Sequence, residues 1–214
     1  MRGVLTLKKP TVTWHAGAMK TQPNSLDSIE IAIKNNAEII EVDVTFRPDG
    51  TPVIIHSASP SQDEGVLFEE AINLLSECNC KVNLDLKSTA NLPSVDEIIN
   101  KYQMMDRVFY TGVFEDWVDT VKKNSSIPYY LNYPVKKKSD AQAVADKAKT
   151  LGVIGINANF RGVTKNFVDI IHQNSLEVSL WTPNTRMKMR KTARTNPDNI
   201  TSKRPDLLNK ILKK

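Results

Sequence analysis

The chain has 214 residues, 40% hydrophobic and 25% charged, a balance that supports one ordinary globular domain with a real core and excludes a disordered chain. The formal net charge of +5 sits largely in 186–194 and 203–214, which suits an anionic substrate or a peripheral contact with an anionic membrane surface. No basic stripe interleaved with aromatics points to nucleic acid, and no window is long and apolar enough to cross a membrane. Residues 1–10 include basic side chains but no apolar run and no small-residue cleavage site, which predicts no signal peptide and a cytoplasmic location.

In chain order the apolar pattern alternates between short strand-like runs and helical runs. A strand is predicted over 11–15, and Ser25 is placed to cap a helix whose apolar face is Leu26, Ile29, Ala32 and Ile33. A strand over 38–45, a helix over 66–76 and a strand over 81–87 follow. Next come a helix over 95–102, a strand over 107–111, a helix over 115–123 and an extended run over 127–132. An Ala-rich helix over 140–151, a strand over 153–157 and a helix over 165–173 continue the alternation. The chain closes with a strand over 176–182, a helix over 185–193, a strand over 199–201 and a helix over 205–212 that has Pro205 at its start.

About eight strand–helix units of this kind imply an α/β fold with a parallel sheet, closed as a (β/α)8 TIM barrel in a single domain over 1–214. An open doubly wound sheet is the competing arrangement, and the lack of a Gly-x-Gly-x-x-Gly turn after the first strand speaks against it. Residues 52–56 break the alternation. Pro48-Asp49-Gly50 is a turn, and so short a connection makes an extra β-hairpin after strand 2, bringing His56 roughly opposite Asp43. Cys78 and Cys80 are read as reduced thiols near a helix–strand turn, because a bridge between such near neighbours is strained and two thiols cannot complete a zinc site.

Reactive groups of a parallel barrel gather at the C-terminal ends of its strands. There the sequence places His15, Glu41 and Asp43, Asp85 and Lys87, and Trp181. Within each of the two spaced pairs, a separation of two puts both side chains on one strand face. Glu41, Asp43 and Asp85, converging unpaired, would repel one another and lose solvation, and one hard divalent cation, Mg²⁺ or Ca²⁺, resolves both problems. Lys87 would stand beside them as a positive charge for a phosphate, and His15 with His56 would supply an acid and a base near neutral pH. Each residue has a plainer reading too: Glu41 and Asp43 as solvent-facing, Asp85 paired with Lys87, His56 on a hairpin surface, His172 on a polar helix surface, Trp181 in the core. The convergence of six polar residues at one end carries more than any member.

The motifs His15-Ala16-Gly17, Pro23-Asn24-Ser25, Glu41-Val42-Asp43-Val44, Asp49-Gly50 and Val53-Ile54-Ile55-His56 resemble the N-terminal signature of glycerophosphodiester phosphodiesterases. Asn83 to Lys87, Leu180 to Asn184 and Asp198 to Leu207 resemble that family's third and last two strands, so the similarity spans nearly the whole chain. The resemblance implies one divalent metal held by Glu41, Asp43 and Asp85, His15 and His56 as the acid–base pair, and Lys87 on the phosphate. It implies cleavage of a glycerophosphodiester to glycerol 3-phosphate and an alcohol, with the neighbouring glycerol hydroxyl as internal nucleophile and a cyclic phosphate that water then opens; the substrate would be a small glycerophosphodiester or a lysophospholipid.

Four positions depart from the family pattern. Ala16 stands where an Arg is usual, Pro23 where a Glu is usual, Ser57 where an Asp follows the histidine, and Asp85 where a Glu is usual. Asp85-x-Lys87 is similar to the sphingomyelinase D-like phospholipases, which raises a headgroup-releasing enzyme that ends on a cyclic phosphate as an alternative. Loss of the Ala16 and Ser57 functional groups raises a second alternative, a non-catalytic phosphate-binding module. The short 57–66 segment predicts an open pocket.

Overall fold

The computed structural model describes residues 9–136 and 138–213, so most of the segment read for a leader lies outside the described residues. Its sheet is built from β1 (Thr11–Trp14), β2 (Ile39–Phe46), β3 (Pro52–Ile54), β4 (Val66–Leu67), β5 (Lys81–Leu86), β6 (Val108–Val113), β7 (Tyr129–Asn132), β8 (Gly155–Asn159), β9 (Glu177–Trp181) and β10 (Asn199–Ser202). Eight of these, β1, β2 and β5 to β10, pair in parallel with their neighbours, and β1 bonds both β10 and β2. The sheet therefore closes on itself as the predicted (β/α)8 barrel, and outside the ring β3 pairs antiparallel with β2 and β4 antiparallel with β3.

The helices α1 (Leu26–Lys34), α2 (Phe68–Ser76), α3 (Leu92–Lys101), α4 (Val118–Asn124), α5 (Ala141–Thr150), α6 (Lys165–Gln173), α7 (Arg186–Ala193) and α8 (Pro205–Leu212) wrap the barrel. Their starts follow from local chemistry. The Ser25 hydroxyl accepts from the Ser28 N–H at 3.1 Å, the Asp140 carboxylate caps α5, and the Thr164 hydroxyl accepts from Phe167 N–H at 3.2 Å. Each helix turns its apolar stripe inward, as with Ile29 and Ala32 of α1 or Phe167, Val168 and Ile171 of α6.

The barrel interior is polar above and apolar below. Ile39, Phe109 and Tyr130 plug the N-terminal end. Above them Thr13, Glu41, Asp43, Asn83, Thr111, Asn157, Ser179, Asn199 and Thr201 are all buried. These groups satisfy one another across the strands. The Thr13 hydroxyl donates to Asn199 Oδ1 at 2.9 Å, Asn199 Nδ2 donates to Ser179 Oγ at 3.0 Å, and Asn157 Nδ2 donates to Asn132 Oδ1 at 2.7 Å. Among the described residues no buried side-chain N or O atom lacks a hydrogen-bond partner.

The structure corrects several sequence readings. Residues 66–67 belong to β4, and the helix begins at Phe68, because the returning hairpin offers its edge to a further strand. Helix α3 begins at Leu92, not 95, since a Pro in the first turn loses no helical hydrogen bond. The hairpin register agrees with the expectation to within one residue: Val44 pairs with Ile54 and Ile55 N–H donates to the Asp43 carbonyl, so Ile55 lies directly opposite Asp43 and His56 is the next residue. Cys78 and Cys80 are joined as a disulfide: the turn after α2 brings their Cα atoms to 5.4 Å, within bridging range.

Candidate active site

Parallel register assembles the carboxylates. Asp43 of β2 pairs with Asp85 of β5, and Glu41 with Asn83, so Asp43 and Asp85 lie side by side on the inward face with Glu41 one layer below. Carboxylate oxygens of Glu41, Asp43 and Asp85 come within 4.8 Å of one another. The Lys87 ammonium bridges two of them, 2.8 Å from Asp43 Oδ1 and in contact with Asp85 Oδ2. The pairing of Asp85 with Lys87 and their membership of the cluster thus hold together.

The two histidines flank the cluster on different carboxylates. His15 Nδ1 is 3.6 Å from Glu41 Oε2, and His56 Nδ1 is 3.3 Å from Asp43 Oδ2. His56 reaches Asp43 through its side chain despite the one-residue difference in backbone register. His15 Nδ1 also lies 2.7 Å from the Ala16 carbonyl, which assigns the proton to Nδ1 and leaves Nε2 as the basic nitrogen. Burial holds the His15 pKa below its usual value; Lys203 pushes the same way, against the Ala16 hydrogen bond and the nearby Asp43 and Asp85.

Electrostatics separates the carboxylates. Burial, then repulsion from Asp85 and Asp43, pushes Glu41 well above the usual carboxylate range. Burial alone would raise Asp43 too, but the Lys87 ammonium, the Asn24 amide and His56 outweigh it and hold that carboxyl low. Lys87 is partly desolvated, yet Asp85 and Asp43 raise its pKa and keep it charged.

Three residues that sequence reasoning did not assign a role hold this arrangement in place. Asn24, buried and left-handed at φ 54, donates from Nδ2 to Asp43 Oδ2 at 2.7 Å and accepts from the Asp43 N–H at 2.9 Å. Thr111 donates to Asp85 Oδ1 at 2.7 Å. It is a polar residue near a strand end, the same signal that picked out Asp85. Gly112, at φ 76 where the β6–β7 register shifts, admits no side chain: a Cβ there would lie 2.4 Å from the Leu86 carbonyl oxygen and 2.9 Å from Asp85 Oδ1. The Ala16 N–H donates to Glu41 Oε2 at 3.0 Å, so the residue that lacks a guanidinium still anchors a carboxylate through its backbone.

A cavity of about 390 Å³ opens above the cluster, lined by both histidines, the three carboxylates and Lys87, with Phe114, Trp117 and Trp181 on its walls. Trp181 is 36% exposed, a wall of the mouth and not core packing. His172 stands apart, half-buried, with Nε2 2.8 Å from Asp198 Oδ2, a hydrogen-bonded position in place of the open surface position expected. The donor set fits a hard divalent cation: it offers only oxygens, and Glu41 is destabilised as an anion by two like neighbours that a cation would offset.

Fold and site together define the class, a (β/α)8-barrel phosphoric diester hydrolase with its reactive groups at the C-terminal mouth. The model of the glycerophosphoryl diester phosphodiesterase family matches residues 15–63 and 61–207, and the chain belongs to that family. Solved structures share the fold. An Oleispira antarctica phosphodiesterase in complex with the product sn-glycerol-3-phosphate superposes with a TM-score of 0.81 at 19% identity, covering 96% of this chain and 97% of the other. Glycerophosphodiester phosphodiesterases from Parabacteroides distasonis (TM-score 0.76, 18% identity, 96% and 97% covered) and Thermotoga maritima (0.73, 16%, 95% and 99%) are similarly close. Among curated proteins none matches the chain. Among the described residues no helix is long and apolar enough to cross a membrane.

Proposed function

We propose that the chain, acting as a single barrel domain, hydrolyses glycerophosphodiesters to glycerol 3-phosphate and an alcohol, or a lysophospholipid to its lysophosphatidic acid and headgroup alcohol, with His15 and His56 as the acid–base pair. The observation that carries this reading is the placing of two imidazoles against different members of one carboxylate cluster, 3.6 Å from Glu41 and 3.3 Å from Asp43, beneath an open cavity. Family membership and the product bound by the Oleispira antarctica relative support the substrate class.

Glu41, Asp43 and Asp85 would hold one Mg²⁺ or Ca²⁺. Such a cation neutralises phosphoryl oxygens and lowers the pKa of an oxygen nucleophile. The chain's own groups do the rest. Lys87, held charged by its carboxylate neighbours, sets a positive charge against a phosphate oxygen. His15, kept neutral by burial with Nε2 free, takes the proton of the glycerol hydroxyl as that oxygen bonds to phosphorus. The phosphorus–alcohol bond breaks, and His56 protonates the departing oxygen. Water then opens the cyclic phosphate with the two roles reversed. The aromatic wall of Phe114, Trp117 and Trp181 gives the alcohol an apolar surface.

Phosphorus NMR of the products from glycerophosphocholine, with Mg²⁺, with Ca²⁺ and with EDTA, tests the reading. Metal-dependent glycerol 3-phosphate is the expected product. A cyclic phosphate that accumulates as the endpoint would assign the chain to the headgroup-releasing alternative. Binding of glycerol 3-phosphate without turnover under either metal would make it a phosphate-binding module.

A further inference from the structure

Three loops at the C-terminal ends of the adjacent strands β1, β10 and β9 form one quadrant of the mouth. They are tied together: Met19 N–H donates to the Lys203 carbonyl at 3.0 Å, and Lys203 N–H donates to Asn184 Oδ1 at 2.9 Å. On this platform stand Met19, Trp181 and Met187, three of the large apolar side chains that the fold leaves exposed, Met187 at 76%. Lys20, Arg186 and Lys203 project beside them, exposed, and among the described residues none of the three is in an ion pair. Residues 15–25, 182–188 and 202–205 contain no acid, and of the nearest along the chain, Asp27 and Asp206, the second is paired with Arg204 at 2.9 Å. The positive face continues down α7, a helix with no acidic residue, through Arg190 and Lys191 to Arg194 just past its end.

Phosphates alone would satisfy the cations but not the methionines; an apolar partner would satisfy the methionines but not the cations. A phospholipid surface offers both, anionic headgroups at the level of the ammonium and guanidinium groups and an acyl boundary for Met and Trp just beyond. We propose that this quadrant docks the barrel on an anionic phospholipid bilayer, with the active-site mouth at the surface from which an amphiphilic phosphodiester is drawn. The inference deepens the proposed phosphodiesterase function and rests on it for the substrate, while the docking is read without turnover.

The test is co-sedimentation of the full chain with vesicles of phosphatidylcholine alone and of phosphatidylcholine mixed with phosphatidylglycerol, at low and high salt. The chain should sediment with the mixed vesicles at low salt and be released at high salt. The triple variant Lys20→Gln, Arg186→Gln, Met187→Ser should lose binding by about fivefold for each cation removed, and further for the methionine. Its turnover of glycerophosphocholine in solution should match that of the unaltered chain. Three results would overturn the docking surface: no sedimentation with mixed vesicles at low salt, equal sedimentation of the variant, or tighter binding to duplex DNA than to vesicles. A chain that turns over glycerophosphocholine yet ignores mixed vesicles loses the surface alone, and a chain inactive on every glycerophosphodiester loses the functional reading.

Discussion

Asn24→Ala is the most informative single substitution outside the ionisable groups. The asparagine is buried, donates to the Asp43 carboxylate at 2.7 Å and accepts from the Asp43 N–H at 2.9 Å. A hydrogen bond to a charged group contributes about 1.5–3 kcal/mol and a neutral one about 0.5–1.5. Removing both partners at once, with the Asp43 N–H left unpaired, should cost roughly 2–4 kcal/mol. For a chain of this size that corresponds to a fall in Tm of roughly 5–15 °C. The Asn24 amide also helps hold Asp43 ionised, so its loss should raise that carboxyl's pKa. A depressed carboxylate pKa stabilises the fold above the unfolded value and is lost as pH falls through the folded value. The variant should therefore start to lose stability at a higher pH than the parent on acidification. Thermal melts across acidic pH read both effects, and the kcat/KM for a glycerophosphodiester should fall with them. An unchanged melt with unchanged turnover would refute the claim that Asn24 positions Asp43.

Gly112→Ala should destabilise the chain and weaken divalent-cation binding together, because the new methyl meets the Leu86 carbonyl and Asp85 Oδ1 at a positive φ; isothermal titration with Ca²⁺ and a melt check it. His15 is held below its ordinary value of 6.5, so the acidic limb of the kcat/KM profile should lie below pH 6.5. In the window between the two values the unfolded chain binds more protons, so stability gains with rising pH and the gain is complete above 6.5; a limb above that value counts against His15 as the base. Replacing Cys78 and Cys80 by Ser should change stability by about 1–2 kcal/mol at most, since the closed loop is so short, and should leave turnover intact as measured by melts and initial rates.

Alternation of period-two and helical runs made the barrel legible from the chain, and the spacing of two in Glu41/Asp43 and Asp85/Lys87 correctly put each pair on one face. What the sequence could not carry was the register between strands. Asp43 beside Asp85 depends on β2–β5 pairing, and the offset of His56 depends on how the turn at Asp49-Gly50 closes. Asn24 escaped because its role needs a left-handed backbone between Pro23 and the Ser25 cap, a conformation that no apolar pattern records. Gly112 escaped because its requirement comes from the neighbouring strand's backbone. Cys78 and Cys80 were misread because the tightness of the turn after α2 is set by how α2 and β5 pack on the barrel, not by the residues between them.

The central claim is that two histidines on opposite carboxylates of one cluster carry the chemistry. Glycerol 3-phosphate release from glycerophosphocholine, measured for the unaltered chain, His15→Ala and His56→Ala with a saturating divalent cation, tests it most directly. The account predicts release by the unaltered chain and a fall of about 10²–10⁴-fold in each variant, the usual contribution of a general acid or base. Release that survives in either variant at the parent rate would contradict it.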